Sequence, residues 1–360
     1  MPAATPPLDT ASRSGRYVTL DGMRGIAAIA VALFHFVGDY VPQGYLAVDF
    51  FFALSGFVLY RTYFPRWQAG LGTGPFMAQR IVRLYPLFVL GVVLSAITAL
   101  VKVANGGNTD LTYQDIMVSL PLNMLMLPSP VDMPLFPLNV PAWSLFFELV
   151  ANFAMIVLLF RLPKLGLLAV CLFSAWWISP IMIDHHSGNI GALWSELGVG
   201  LARTAFSFTM GMLIASLNQP ALRAVSWLAL LCFTVIAVVL ALPFDWADTP
   251  EFDLFAILLV SPMLLVLGSR VEPPAFAVPF AMFTGDVSYA LYAVHWPMVD
   301  VFRYLQVRLD VSPAGMTPFY FIAVFSLAWL FSRAYDAPLR RRMSGLLRLR
   351  AAPVASPQGA

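Results

Sequence analysis

Charge is what this sequence has least of. Asp, Glu, Lys and Arg make up only 11% of its 360 residues, whereas soluble domains carry about 25%. Hydrophobic residues make up 60%, the mean hydropathy is +0.79, and apolar runs of bilayer-spanning length recur from end to end. The scarcity of charge excludes an ordinary soluble enzyme. It predicts a protein that crosses a membrane many times, with lipids around it and no nucleic-acid partner.

Cysteine and histidine are scarce as well. Both of the two cysteines fall inside apolar runs, so neither indicates a disulfide or a metal site. The adjacent His185 and His186 lie in a polar loop without further ligands, and no metal is expected there. The other two histidines, His35 and His295, lie inside apolar runs. On membrane-insertion scales, an ionisable side chain in such a run costs about 2.5–3.5 kcal/mol of insertion free energy. Each of these two histidines therefore requires a structural or functional explanation.

The hydrophobic pattern predicts an all-α, polytopic membrane bundle of about ten transmembrane helices within one domain, residues 19–340. The first 18 residues are expected to form a flexible cytoplasmic tail, and 341–360 a basic and then flexible one. The spans are expected at 19–38, 46–64, 81–101, 142–160, 165–183, 198–217, 224–243, 253–269, 285–305 and 317–337.

The basic residues predict the orientation. With both termini in the cytoplasm, all but four of the 21 Lys and Arg residues fall in cytoplasmic segments, as the positive-inside rule requires. The four on the other side are Lys102, Arg203, Arg303 and Arg308. A wrong number of spans would scramble this alternation, so it supports the predicted count.

The first span carries ionisable residues at both ends. Arg24 and His35 are eleven positions apart, which places them on one face of a helix and about 16 Å apart along its axis. Small residues lie between them on that face. Asp21 is three positions before Arg24, a spacing at which the two side chains can pair. The helix therefore presents a cation near the cytoplasm and an imidazole toward the outer leaflet.

Two carboxylates are expected near the depth of this imidazole. Asp49 lies near the outer end of the second span, and Glu148 about two turns into the fourth. A carboxylate that hydrogen-bonds to one nitrogen of His35 would fix its tautomer and make the other nitrogen more basic. Asp49 and Glu148 are therefore candidate catalytic partners of His35.

Two arginines begin the third span. Arg80 and Arg83 lie about one helical turn apart and, with Arg24, would form a cytoplasmic site for an anion such as a phosphate. Ordinary positive-inside anchoring explains the same pair equally well. The other residues that we consider as substrate-site candidates are Asp21, Trp143, Tyr289, Tyr292 and His295.

Five motifs occur in order along the chain: "LDGMRGIAAIAVALFH", "LAVDFFFALSGFVL", "RIVRLYP", "VPAWSLFFEL" and "SYALYAVHWP". Together they resemble the acyltransferase-3 family of integral membrane proteins, which move acyl groups, often acetyl from acetyl-CoA, onto hydroxyls of glycans and other extracytoplasmic or secreted acceptors. The resemblance is collinear and covers about 19–340. One departure is Asp336, where the family more often has a Glu before the proline.

The resemblance implies that His35 is the catalytic residue and that Arg24, Arg80 and Arg83 contact the acyl-CoA donor or hold its site. It also implies an integral protein of the bacterial inner (plasma) membrane. His35 would act as general base on an acceptor hydroxyl, or it would carry the acyl group itself; the sequence leaves both schemes open. A polysaccharide, a lipid-linked sugar, a lipid and a small molecule are all open as acceptors. Acetyl is the commonest acyl group, with succinyl or a longer chain as alternatives.

Two other classes of function compete with an enzyme. A multi-span transporter of a sugar-containing or lipid-linked substrate would also have buried charges, although no inverted repeat is visible. A purely structural role in an export complex is the third alternative, and it does not explain why His, Asp and Glu would gather at one depth. Substitution of His35 separates these classes, because an acyltransferase needs the imidazole.

Overall fold

Helices form nearly all of the chain, because backbone polar groups inside a bilayer have no partners other than one another. The computed structural model describes residues 16–107, 109–131, 134–217, 226–241 and 249–351, and no strand forms within those ranges. The helices are α1 (Val18–Val37), α2 (Ala47–Gln68), α3 (Thr73–Ala104), α4 (Tyr113–Met124), α5 (Trp143–Val157), α6 (Lys164–Asp184), α7 (Leu197–Ser216), α8 (Trp227–Ala241), α9 (Pro250–Phe255), α10 (Ser261–Gly268), α11 (Val278–Arg308), α12 (Pro313–Leu330) and α13 (Ala337–Ala351).

The prediction of a polytopic helical membrane protein is confirmed. In the described ranges, eight helical segments are long and apolar enough to cross a membrane, and each coincides with a predicted span. The other two predicted spans correspond to α8, an apolar helix of 15 residues, and to α11, which has 31 residues. Charged side chains such as Asp286, Asp300 and Arg303 interrupt the apolar character of α11.

The helix bounds differ from the prediction in several places. Helix α3 begins at Thr73, eight residues before the expected start, and α4 lies in a segment that was expected to be a loop. The N-terminus of α4 has a capping box, in which Thr112 and Asp115 each accept a hydrogen bond from the other's backbone. Beyond α12, the π-helical segment Phe331–Asp336 leads directly into α13. The basic part of the predicted C-terminal tail is therefore helical, whereas residues 1–15 and 352–360 of the two tails lie outside the described ranges.

Glycines allow two pairs of helices to pack at very short range. On α2 and α7, a Cβ at Gly56 would overlap the carbonyl of Phe208, and one at Gly211 would overlap the carbonyl of Ala53. On α1 and α11, a Cβ at Gly25 would overlap the Thr284 side chain. Small residues at such crossings are typical of helix association in membranes, where close backbone approach replaces the hydrophobic drive.

Helices α1, α3, α11 and α12 position the candidate site. The Tyr320 hydroxyl on α12 donates to the carbonyl of Ala32 on α1, and its ring stacks on Phe36 at a centroid distance of 4.3 Å. The Tyr289 hydroxyl on α11 donates to the carbonyl of Leu84 on α3. These contacts fix the four helices around the ionisable residues that the sequence singled out.

Candidate active site

Arg24 joins α1 to α11. Its guanidinium donates to the carbonyl of Gly285 over 2.7 Å and to the Ser288 hydroxyl over 2.9 Å, and it pairs with Asp21 at 2.9 Å. Asp21 also pairs with Arg16, which reaches Asp286 at 2.7 Å. Asp21, a predicted substrate-site candidate, is thus part of an ion-pair cluster that anchors the start of α1.

The three arginines predicted to form an anion site meet around one cavity of about 210 Å³, which we call the inner cavity. Arg80 pairs with Glu148 at 3.1 Å, and Ser55 donates to the same carboxylate over 2.8 Å. The Arg83 guanidinium lies over the Tyr289 ring, 5.5 Å from its centroid. The residues of the inner cavity that matter below are Arg24, Arg80, Arg83, Glu148, Tyr289 and Tyr292. This cavity combines a basic wall with aromatic and apolar walls, which suits an anion attached to a long apolar arm.

His35 lies near the other end of α1, and its hydrogen bonds define its tautomer. Nδ1 of His295 lies 2.7 Å from the carbonyl of Tyr292, so this nitrogen carries a proton and Nε2 of His295 is an acceptor. Nδ1 of His35 lies 3.2 Å from that acceptor and 2.9 Å from the carbonyl of Val31. Two acceptors at one nitrogen require it to be the protonated one. The lone pair of neutral His35 is therefore on Nε2.

The backbone and ring of His35 are held from α11. Arg303 donates to the carbonyl of His35 over 2.8 Å, and the Trp296 ring meets the imidazole edge-on at 5.3 Å. His35 itself is partly exposed, whereas His295 is fully buried behind it. His295, predicted as a substrate-site candidate, is thus placed as a support for His35.

Tyr292 connects the inner cavity to this histidine pair. Its ring lines the cavity and lies 5.7 Å from the His295 ring, centroid to centroid. Its hydroxyl lies 2.6 Å from Ser144 Oγ and 2.9 Å from the carbonyl oxygen of Pro141. The Tyr292 ring therefore borders both the inner cavity and the histidine pair, while its hydroxyl hydrogen-bonds to Ser144 on α5 and to the turn before α5.

The structure does not place a carboxylate on His35, contrary to the expectation for Asp49 and Glu148. Asp49 is fully buried and pairs with Arg203, which also donates to the carbonyls of Gly188 and Ile190. Glu148 faces the inner cavity and binds Arg80 instead. The physical reason is that each carboxylate has a guanidinium within reach, and a charged partner outcompetes a neutral imidazole.

Trp143, another predicted substrate-site candidate, packs beside the Asp49–Arg203 pair. Its ring lies 5.9 Å below the guanidinium carbon of Arg203 and contacts Phe52 and Phe147 edge-on. It does not line the inner cavity. The predicted topology assigned Arg203 to the outer side but did not identify it as the partner of Asp49. An arginine within span six and a carboxylate within span two were a signal for this pair.

These features define a polytopic membrane protein with a basic cavity. Arg24, which lines the cavity, and His35, whose tautomer is fixed, lie on the same helix. The chain belongs to the acyltransferase-3 family, whose model, described as an acyltransferase domain, matches residues 17–333. The protein is accordingly a membrane acyltransferase.

Three relatives extend this comparison. Protein 2 in the picA locus of Rhizobium radiobacter is 39% identical over 38% of this chain and 79% of its own length. A protein of Komagataeibacter xylinus named as a membrane-bound transacylase, BcsY, is 24% identical over 79% of this chain and 74% of its own. Peptidoglycan O-acetyltransferase OatA of Listeria monocytogenes is 32% identical over 24% of this chain, a stretch that spans 15% of OatA. No solved structure shows significant similarity to the chain.

Proposed function

We propose that this protein transfers an acyl group, most simply acetyl, from acyl-CoA to a hydroxyl group, with His35 as general base. The acceptor is a glycan, a lipid-linked sugar or a small molecule on the outer side of the bacterial inner membrane, and both termini are in the cytoplasm. A glycan acceptor agrees with the name of the OatA relative, and acyl transfer with that of the BcsY relative.

The observation that carries the proposal is the tautomer of His35. Nδ1 is protonated and held by two acceptors, so the imidazole cannot easily rotate, and Nε2 keeps its lone pair. In the described part of the chain, Nε2 has no hydrogen-bond partner of its own. A base that is oriented on one side and vacant on the other is what proton abstraction from a hydroxyl requires.

The reaction then proceeds in balanced steps. Nε2 of His35 takes the proton of the acceptor hydroxyl while the oxygen attacks the thioester carbonyl carbon. The tetrahedral intermediate collapses, the carbon–sulfur bond breaks, and the imidazolium returns the proton to the departing thiolate. The products are the acyl ester and CoA with a free thiol. His295 acts on this sequence only through the orientation of His35.

The donor would occupy the inner cavity. Arg24, Arg80 and Arg83 supply cations for phosphates, and Glu148 holds Arg80 in place through their ion pair. The eleven residues from Arg24 to His35 span about 16 Å of helix, a distance that the extended pantetheine arm can bridge. Asp49 takes no part in this scheme, because Arg203 and Ser207 bind its carboxylate.

The test is turnover of labelled acetyl-CoA by purified protein in lipid nanodiscs. We expect His35→Ala to lower the rate of CoA release by about 10²- to 10⁴-fold while acetyl-CoA binding is retained. The matched control is His185→Ala, which removes an exposed histidine in a loop. If the label stays on the wild-type protein but not on His35→Ala, the reaction would proceed through an acyl-imidazole on His35 and not through general-base catalysis. Unchanged turnover in His35→Ala would refute the mechanism, and absence of both binding and turnover in the wild type would refute acetyl-CoA as the donor and indicate another acyl donor.

A further inference from the structure

A second and larger cavity lies beside the inner cavity. Its volume is about 550 Å³, within the range of ligand pockets, and we call it the outer-wall cavity because α12 and α13 close its far side. Arg24, Arg83 and Tyr289 line both cavities, so the two cavities adjoin at these side chains. A ligand larger than the 210 Å³ of the inner cavity would therefore find further space directly beside these side chains.

The outer-wall cavity is positively charged. Four guanidiniums line it, from Arg24, Arg83, Arg333 and Arg340, against two carboxylates from Asp286 and Asp336. Both carboxylates are already engaged: Asp286 pairs with Arg16, and Asp336 pairs with Arg340 at 2.6 Å. The charge that remains favours an anion of more than one negative charge.

Several of the cationic groups lack partners. Within the ranges that the structure describes, neither Arg83 nor Arg333 forms an ion pair; each is positioned over an aromatic ring, Arg333 at 5.2 Å from Trp329. Nε of Arg340 is buried without a hydrogen-bond partner among the described residues. A buried donor without a partner costs free energy, so an acceptor from a ligand would restore what the protein lacks.

The backbone brings two of these residues into the cavity by an unusual route. Arg333 and Asp336 belong to the π-helical segment Phe331–Asp336, where the wider turn interrupts the regular helix between α12 and α13. Such segments occur frequently at functional sites. Trp329, at the end of α12, lines the same cavity beside the Arg333 guanidinium, and a purine can stack on such flat aromatic and guanidinium groups.

We propose that the outer-wall cavity binds the 3′-phosphoadenosine diphosphate portion of CoA, with Arg333 and Arg340 as its phosphate ligands. The pantetheine arm then runs past Arg83 and Tyr289, which line both cavities, into the inner cavity. This inference deepens the proposed function, since it rests on CoA as the donor. It adds Arg333, from the π-helical segment, and Arg340, from α13, to Arg24 and Arg83, the two arginines indicated by the sequence that line this cavity.

The test compares the affinities of two probes, CoA and adenosine 3′,5′-bisphosphate, for purified protein in lipid nanodiscs. The second probe has the base and two of the three phosphates of CoA but no pantetheine arm. We expect Arg333→Gln to weaken the binding of both probes by about tenfold or more, as the loss of a charge-assisted hydrogen bond implies. Arg340→Gln should do the same, but it also leaves Asp336 unpaired; Arg333→Gln removes no ion pair in the described chain and is therefore the decisive variant.

The matched control is Arg341→Gln. Arg341 is exposed on α13, donates to the carbonyl of Ala337, and does not line either cavity. Unchanged CoA affinity in Arg333→Gln and Arg340→Gln would overturn this subsite and leave the proposed function intact. An equal loss in Arg341→Gln would also overturn it, because the effect would then be a general one of net charge. A wild-type protein that binds neither probe would overturn the subsite and the CoA donor together.

Discussion

Removal of the acceptor behind His35 is the sharpest test of how the imidazole is held. His295→Phe keeps a planar ring in a fully buried position but deletes the nitrogen that accepts from His35 Nδ1. His295→Gln keeps an acceptor, since its amide oxygen falls near the place of Nε2. Phenylalanine is larger and glutamine slightly smaller than histidine, so the unfolding temperature of each variant is needed to separate the hydrogen bond from the change in volume.

The size of the effect follows from the two hydrogen bonds at His35 Nδ1. His295→Phe removes the longer one, at 3.2 Å, and leaves the bond to the carbonyl of Val31 at 2.9 Å. A neutral hydrogen bond contributes about 0.5–1.5 kcal/mol net, and 1.4 kcal/mol corresponds to about tenfold in rate. We therefore expect kcat to fall by about 3- to 10-fold in His295→Phe, and to recover most of that loss in His295→Gln.

The assay is release of CoA thiol from acetyl-CoA, with His35→Ala as the floor. KM for acetyl-CoA should stay constant, because His295 does not line the cavities that hold the donor in our proposal. Thermal unfolding of each variant controls for misfolding. Wild-type kcat in His295→Phe would refute the positioning role. So would a folded His295→Gln that is as slow as His295→Phe, or a change confined to KM.

Two further predictions concern stability. Asp49→Asn should destabilise the protein by about 3–5 kcal/mol, because Arg203 then keeps a buried charge without its partner. The expected result is a lower unfolding temperature with normal kcat in the folded fraction. A loss of kcat at full stability would instead indicate that Asp49 belongs to the catalytic site. Gly211→Ala should cost about 1–3 kcal/mol or more from overpacking against Ala53, whereas Gly198→Ala on the same helix meets open space and should be neutral. Equal unfolding temperatures for the two glycine variants would contradict the close packing of α2 and α7.

The fold could be predicted from the sequence to within a few residues wherever hydrophobicity decides the structure. The first, second and fifth spans coincide with α1, α2 and α6 because an apolar run of bilayer length has few alternatives to a helix. Helix α4 was missed because it does not have this length. Its capping box, Thr112 and Asp115, was a local signal that the search for spans did not use.

The candidate site was predictable in part. The spacing along the sequence placed Arg24 and His35 on one face of α1. Short loops between the first three spans were enough to predict that Arg24 lies near Arg80 and Arg83. The partner of each carboxylate was not predictable, because depth in the bilayer does not specify rotation about the helix axis. Two groups at one depth can face different neighbours, as Asp49 faces Arg203 on α7 and Glu148 faces Arg80 on α3.

The charged side chains of this protein fall into two kinds, and the difference carries the functional argument. Asp49 and Arg203 satisfy each other and nearby carbonyls, which is what the cost of burial demands of a structural pair. Arg83 and Arg333 have no carboxylate partner in the described chain, and both face cavities. His35 repeats the pattern within one ring, where Nδ1 is held by two acceptors and Nε2 is open. The unpaired guanidiniums that line the cavities, and the open nitrogen of His35, indicate where a ligand supplies the missing partner.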